Sequence, residues 1–513
     1  MSTPPPVQPA ARIAQRAAMT LADFRRARDV GQLDLATLRR WAHQAADDFV
    51  AYYHAGDGYL ADAIALLCEI STLPNAALAE PGWRGLFSFL VERLSDSFNP
   101  HYCALYDRLF VQVVTFARRL PAGAALDGAL RRFGLHGPDE LLQRKQRLQH
   151  PTTLPVDARP AVRRVLIPSR VTIGADVAVT SVIMTKAKGV FPHAEIVLLA
   201  PLATRALYAG DARVRVQPIA YDRGGDLIQR LTAWLDVLAV MNAETAGLAA
   251  DQYVVMDPDS RLTQLGIFPL IADDTRYYFF PSRGYRLAGL ETISELAAAW
   301  LAETFGAEPA AAPYLALGPA DVAYGQQMVA ALRDTARPHL IMLNFGVGGN
   351  ERKRVDDAFE AELMAHLLAA GSRLLLAKGV GPEEVARAER LLAMLRARGH
   401  TIVEIAPDAD TPPSPLSDVV AWQGSLGAFA GLICASDLYL GYDSAGQHIA
   451  AALGVPTIDV FVDRQYPLIA KRWRPYGAGR VEVIVASTDP PFSPAERDAL
   501  LAATMAAYHR LRR

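Results

Sequence analysis

The chain has 513 residues, of which 51% are hydrophobic and 21% charged, with a formal net charge of −2. That length and composition describe a globular protein with several large cores, room for about three domains, and no bulk positive charge for nucleic acid. The three cysteines, Cys68, Cys103 and Cys434, lie far apart without CxxC or Cys/His spacing, so neither a disulfide framework nor a zinc site is expected, only reduced thiols in a buried, cytosolic setting.

Residues 1–18 begin MSTPPPVQPA and lack the apolar core of a signal peptide; they read as a disordered tail rich in proline. No apolar run reaches the ~18 residues that span a bilayer. From 19 to 150 apolar and aromatic residues recur at three- and four-residue steps, as in Leu38, Trp41, Ala42, Ala45 and Phe49, which predicts an all-helical domain. Its basic run Gln143–Arg147 reads as a solvated helix face, with contact to an anionic membrane surface as the other reading.

After Pro151, Pro155 and Pro160 the pattern changes to strands alternating with helices. Arg164–Pro168 opens the first strand, a loop over Ser169–Asp176 follows, then a helix over about 177–188 and a strand at Glu195–Leu199. Val214–Ile219, Gln252–Met256 and Tyr277–Pro281 are further strand candidates. A second such region starts near Arg337 with the strand His339–Asn344, the loop Phe345–Asn350, a helix over 356–370, and further strands and helices to the last helix near 493–512. Strands alternating with helices imply parallel, doubly wound sheets, whose ligands bind outside the carboxyl ends of the strands.

The most informative stretch is Ser436–Val462: a strand Leu438–Tyr442, the loop Asp443–Gly446, a short helix Gln447–Leu453 ended by Gly454 and Pro456, and a strand Thr457–Val462. The helix start exposes the backbone N–H groups of Gly446, Gln447 and His448 and forms an anion site, with Ser444 as its expected cap.

Three landmarks then carry a resemblance. Asn344–Val355 (NFGVGGNERKRV), Gly424-Ser425-Leu426 leading to Ser436-Asp437, and Asp443-Ser444-Ala445-Gly446-Gln447-His448 followed by an Ala-rich helix and Gly-Val-Pro-Thr occur in the order seen in the ADP-heptose:lipopolysaccharide heptosyltransferase family. The likeness covers about 120 residues well. The first α/β half resembles the family more weakly, since Gly174-Ala175-Asp176 has one residue inserted into the family's Gly-Asp. The resemblance implies an α/β GT-B fold: two Rossmann-like domains facing a cleft, an acceptor-side domain over 160–330 and a nucleotide-sugar domain over 337–490, with the all-α domain in front and a C-terminal helix over 491–513.

It also implies an inverting glycosyltransferase that moves a sugar, heptose being favoured, from a nucleotide diphosphate donor to a glycan, lipopolysaccharide, other lipid-linked or protein acceptor. Asp176 would be the catalytic base. Gly348, Lys353, Glu383 (or its neighbour Glu384), Asp443, Ser444, Ala445, Gly446 and His448 would bind the donor. No metal or other cofactor and no nucleic acid is expected, and the location would be cytoplasmic, peripheral to the inner membrane. Two alternatives stand beside this: a metal-dependent transferase using Asp257 and Asp259 at the end of an apolar strand, and a non-catalytic nucleotide-sugar-binding scaffold.

Overall fold

The computed structural model describes residues 9–56, 58–220, 224–405, 417–462, 468–486 and 488–512. The strands among them are β1 (Arg164–Pro168), β2 (Glu195–Ala200), β3 (Val214–Pro218), β4 (Tyr253–Asp257), β5 (Tyr277–Phe279), β6 (His339–Asn344), β7 (Ser372–Ala377), β8 (Ile402–Ile405), β9 (Val419–Trp422), β10 (Leu438–Tyr442), β11 (Thr457–Phe461) and β12 (Val481–Val485). β9 and β12 have no counterpart in the strands expected from sequence.

The chain divides into two compact units. The first comprises residues 1–152, 220–250 and 259–285. It is largely helical, and its helices start where caps predict: Asn75 and Asn99 accept from the first backbone N–H groups of their helices, and Pro100 sits at the first helical position. A helix already runs from Pro9 to Asp29. The tail expected over 1–18 is therefore helical from residue 9, while 1–8 lie outside the described residues.

Residues 220–285, expected with the acceptor-side domain, mostly join this unit. The reason is aromatic packing. On the helix Leu227–Thr245, Trp234 stacks on Phe268 with ring centroids 4.9 Å apart, and Phe268 meets Phe110 edge-on. The basic run at 143–147 is partly buried rather than solvated: Arg144 pairs with Asp274 at 2.8 Å and donates to the Gly266 carbonyl, and Lys145 donates to the Leu265 carbonyl.

The second unit comprises residues 153–219, 251–258 and 286–513. It holds both α/β halves. The first sheet contributes four parallel strands here in the order β3-β2-β1-β4. The second sheet has seven parallel strands, β12-β11-β10-β6-β7-β9-β8. Near-continuous apolar strands such as Leu340–Leu343 and Leu374–Leu376 are buried on both faces, as parallel sheets require. This is the two-sheet α/β architecture expected of a GT-B protein, within one compact unit.

Where the sequence predicts a single helix over 177–188, the structure runs Ile173–Ala175 as α-helix, Asp176–Thr180 as a π-helical turn and Ser181–Val190 as α-helix. A π turn accommodates one extra residue without breaking a helix, and such turns cluster at functional sites.

Of the cysteines, Cys68 is buried and Cys434 exposed, and all three are free. Among the described residues, no single helix is long and apolar enough to cross a membrane.

Candidate active site at the strand ends

The loops after β1, β6 and β10 all leave the carboxyl ends of parallel strands, where doubly wound sheets bind ligands. Parallel register sets their spacing within the second sheet: Gly441 on β10 lies opposite Asn344 on β6 and opposite Asp459 on β11. Asn344 therefore ends its strand beside the loop that starts at Asp443, and its side chain accepts from Gly346 N–H at 3.0 Å.

The helix after β10 runs Ala445–Ala452, so Ala445 and Gly446 form its first turn rather than the preceding loop. Ser444 occupies the N-cap position, but its hydroxyl accepts no helix N–H; it lies 3.5 Å from the Asn344 amide. The orphan N–H groups of this helix are thus left to other partners, the condition for an anion site. Gly446 is required sterically, because a Cβ there would overlap the buried Tyr439 hydroxyl.

Asp443 is the centre of the loop. Lys353 donates to one carboxylate oxygen at 2.6 Å and the Gln447 amide to the other at 2.8 Å. The side chains of Lys353 and Asp443 keep 27% and 12% of their exposure. Lys353 comes from the short turn Glu351–Lys353 after β6, next to Gly348 and Gly349, which adopt φ of +62° and +81°. The neighbouring Arg354 is spent elsewhere: it is buried and pairs with Asp357 at 2.6 Å and Glu360 at 2.8 Å.

Of the two glutamates at the start of the helix Pro382–Ala397, it is Glu384, not Glu383, that reaches the glycine loop. Glu384 accepts from Gly348 N–H and Val380 N–H, both at 3.1 Å, and lines a cleft with Phe345, Gly346 and Lys378. Glu383 is exposed.

His448 is 4% exposed, 6.0 Å from Trp473 in an edge-on arrangement. Burial pushes its pKa down to about 4, so it meets the site as a neutral imidazole rather than as a cation. It faces the other half of the unit: a Cβ built at Gly174 would lie 3.1 Å from its Cδ2 and 3.3 Å from Ala445 Cα. Gly174 thus permits the loop after β1 to approach the helix start.

Two residues past Gly174, the Asp176 carboxyl turns inward. It is 0% exposed and accepts from Ser169 Oγ (2.5 Å), Thr180 Oγ1 (2.7 Å) and Arg170 N–H (2.8 Å). Burial raises it above the usual carboxylate range, opposed by the Ser169 and Thr180 hydroxyls and by Arg170. Arg170 donates to the Pro258 carbonyl and lies over the Trp473 ring at 5.8 Å.

Asp259 of the alternative metal reading, in the first unit, is salt-bridged to Arg283 at 2.8 Å and accepts from Ser282 at 2.7 Å. That pairing occupies the carboxylate that a divalent cation would need. Asp257 ends β4 in the second unit and is fully buried.

Sequence reasoning did not single out the side chains of Gln447, Asn344, Tyr439 or Asp459. The four-residue step from Asp443 to Gln447 across a helix start was a usable signal. The others depend on register between strands far apart in sequence.

Residues 301–493 match the family described as glycosyltransferase family 9 (heptosyltransferase). No curated protein matches the chain. Solved structures similar to it include a family 9 glycosyl transferase from Veillonella parvula, at 14% identity, with 69% of this chain and 99% of that chain covered and a TM-score of 0.48. The ADP-heptose lps heptosyltransferase II of E. coli follows at 15% identity, 69% and 100% coverage and a TM-score of 0.45. The E. coli heptosyltransferase WaaC with ADP is 19% identical, with 68% and 98% covered and a TM-score of 0.43. Residues 301–493 are thus the part of this chain that is similar to glycosyltransferase family 9 (heptosyltransferase).

Proposed function

We propose that the chain transfers a sugar from a nucleotide diphosphate donor to a hydroxyl of a glycan, lipid-linked or protein acceptor in a single inverting displacement. The observation that carries this reading is the Lys353–Asp443–Gln447 cluster at the uncapped start of the Ala445–Ala452 helix. It joins a cation, a carboxylate and free backbone donors at the carboxyl end of β10. In the proposed reaction the acceptor oxygen bonds to the anomeric carbon, the bond to the diphosphate breaks, and a base takes the hydroxyl proton. Lys353 and the helix N–H groups receive the charge that develops on the diphosphate. Gly348, Ala445 and Gly446 let the backbone come close to it, and Asp443 orients sugar hydroxyls. Of the two glutamates, Glu384 rather than Glu383 contacts the nucleotide ribose. Heptose, with ADP as its carrier, is the donor favoured by the family likeness of residues 301–493.

Asp176 is the proposed base. From its inward position it serves only after the loop 170–175 turns the carboxyl toward the acceptor. The burial of Asp176 also favours a second reading, a nucleotide-sugar-binding protein without turnover. A lipid-linked acceptor would bring the protein to the cytoplasmic face of the inner membrane, which flotation with vesicles tests.

The experiment is a thermal-shift screen with ADP-, UDP-, GDP- and dTDP-sugars, followed by product analysis with the sugar that stabilises. A binder at ~100-fold excess over its dissociation constant stabilises by about 2.7 kcal/mol. No shift with any of the four sinks the donor site; a shift without product supports the second reading.

A further inference from the structure

Below the donor loop, β11 carries a carboxyl that the proposed reaction does not use. Asp459 is 0% exposed, and neither of its oxygens has a hydrogen-bond partner among the described residues. A buried, unpaired carboxyl is costly, and one that persists calls for a reason. Its strand position supplies one. Asp459 lies opposite Gly441 on β10, and register partners in a parallel pair share a face. Gly441 has no side chain there, and the Tyr439 ring lies beside that position. A Cβ at Gly441 or at Gly446 would run into the Tyr439 hydroxyl.

We propose that Asp459 is a positioning residue of the donor site, acting from beneath the loop on the Lys353–Asp443 pair that must open for a diphosphate to be seated. The inference rests on the proposed function. Lys353 is paired with Asp443 in this structure. As phosphates arrive, Lys353 turns toward them and leaves Asp443 beside an anion. One lysine can serve the phosphates and one carboxylate; a second ionised carboxyl below would compete for it.

A neutral Asp459 avoids that competition. Burial raises its pKa well above the usual carboxylate range, and the charge of Asp443 raises it further, against the opposing charge of Lys353. Tyr439 is its other ionisable neighbour. On the far side β12 places Val483 opposite it. Of the helices packed on β11, Ala445–Ala452 brings only His448 as a titratable group, and the charged groups of Pro494–Leu511 are not among its electrostatic neighbours.

Nucleoside diphosphate binding should therefore weaken as pH rises through the ionisation of Asp459, because the bound anion and the ionised carboxyl oppose each other. Calorimetric titration of the full chain with ADP, UDP, GDP and dTDP across the pH range in which it stays folded tests this, in wild type and Asp459→Asn. Wild type is expected to lose roughly tenfold in affinity across the titration, while Asp459→Asn stays flat once the ligand's own protonation, common to both, is subtracted. Asp459→Thr, also without an ionisable group, should reproduce the flat profile.

A second readout needs no nucleotide. A folded-state pKa raised above the unfolded value gives stability that is full at low pH and lost as pH rises through the folded value. Asp459→Asn should then melt above wild type by a margin that grows with pH. Parallel affinity profiles, or a melting margin independent of pH, overturn the inference alone. Failure of wild type to bind any of the four nucleotides overturns the proposed function, and this inference with it.

Discussion

Two loops of the second unit occupy equivalent places, each between a parallel strand and the helix after it, and each is built around one aspartate. Asp176, after β1, is sealed from solvent and saturated by Ser169, Thr180 and a backbone N–H. Asp443, after β10, stays partly exposed and is held by Lys353 and Gln447. The same residue at the same topological position is thus a fixed hub in one half and an exchangeable ion pair in the other. A lysine can trade a carboxylate for a phosphate at small cost, because either partner gives it a charge-assisted hydrogen bond. A carboxylate held by its own loop's donors is released only when that loop rearranges.

The largest expected effect tests whether the sealed aspartate ever opens. Asp176→Asn should lower turnover by ~10²–10⁴-fold while donor affinity stays within about threefold, if Asp176 is the base. Product formation and nucleotide titration of the same sample separate the two. Thr180→Val adds a sharper mark. It removes a hydrogen bond that favours the ionised form, so the Asp176 pKa rises and the acid limb of the turnover profile moves to higher pH. Unchanged turnover in Asp176→Asn, with a stability loss of about 1–3 kcal/mol, would make Asp176 a structural hub.

His448 joins the two loops through its contact with Gly174 and provides a pH test of that junction. Its folded pKa, about 4, lies below the ordinary histidine value. Over that interval the unfolded chain binds the extra proton, so stability present near neutral pH is lost as pH falls from ~6.5 toward 4, by a few kcal/mol. Urea titrations at several pH values should show this slope in wild type and not in His448→Gln.

Next in size is the exchangeable pair. Lys353→Ala should weaken nucleoside diphosphate binding by about 1.5–3 kcal/mol, the worth of a hydrogen bond to a charged group. Asp443→Asn should do the opposite for the bare nucleotide. It frees Lys353 from its carboxylate, so affinity for the diphosphate holds or rises, while affinity for the full sugar donor falls. Isothermal titration with a nucleoside diphosphate and with its sugar conjugate reads the split, and equal losses of both would make Asp443 structural.

The contrast between the loops also shows what the sequence can carry. The strand–loop–helix of Leu438–Leu453 and the cation at Lys353 were legible because each is local: an apolar run, a glycine, a helix end, a charged turn. The two sheets followed from alternation. The orientation of Asp176 was not legible, because it depends on the π turn at Asp176–Thr180. The grouping of 220–250 and 259–285 with the helical unit was hidden in contacts such as Trp234 on Phe268, and the buried state of Arg144 in its pairing with Asp274. The side chains of Gln447 and Asn344 reach the Asp443 loop through a helix turn and strand register, which composition does not report.

The smallest effect distinguishes adjacent residues that sequence reasoning could not rank. Glu383 and Glu384 both begin the helix Pro382–Ala397, and either is a fair partner for its dipole. Only Glu384 accepts from Gly348 N–H and Val380 N–H, and so ties the glycine loop after β6 to the turn after β7. Glu384→Gln keeps one acceptor oxygen and loses the charge and one of the two bonds, which should cost about 1 kcal/mol in nucleotide affinity. Glu383→Gln, at an exposed position, should leave affinity unchanged within about twofold. Gly348 already has a positive φ, so the loop's shape does not depend on Glu384 alone. The loss should therefore appear in the dissociation rate of the nucleotide rather than in melting temperature. Stopped-flow measurement of both variants would show it, and equal rates would return the ribose contact to Glu383.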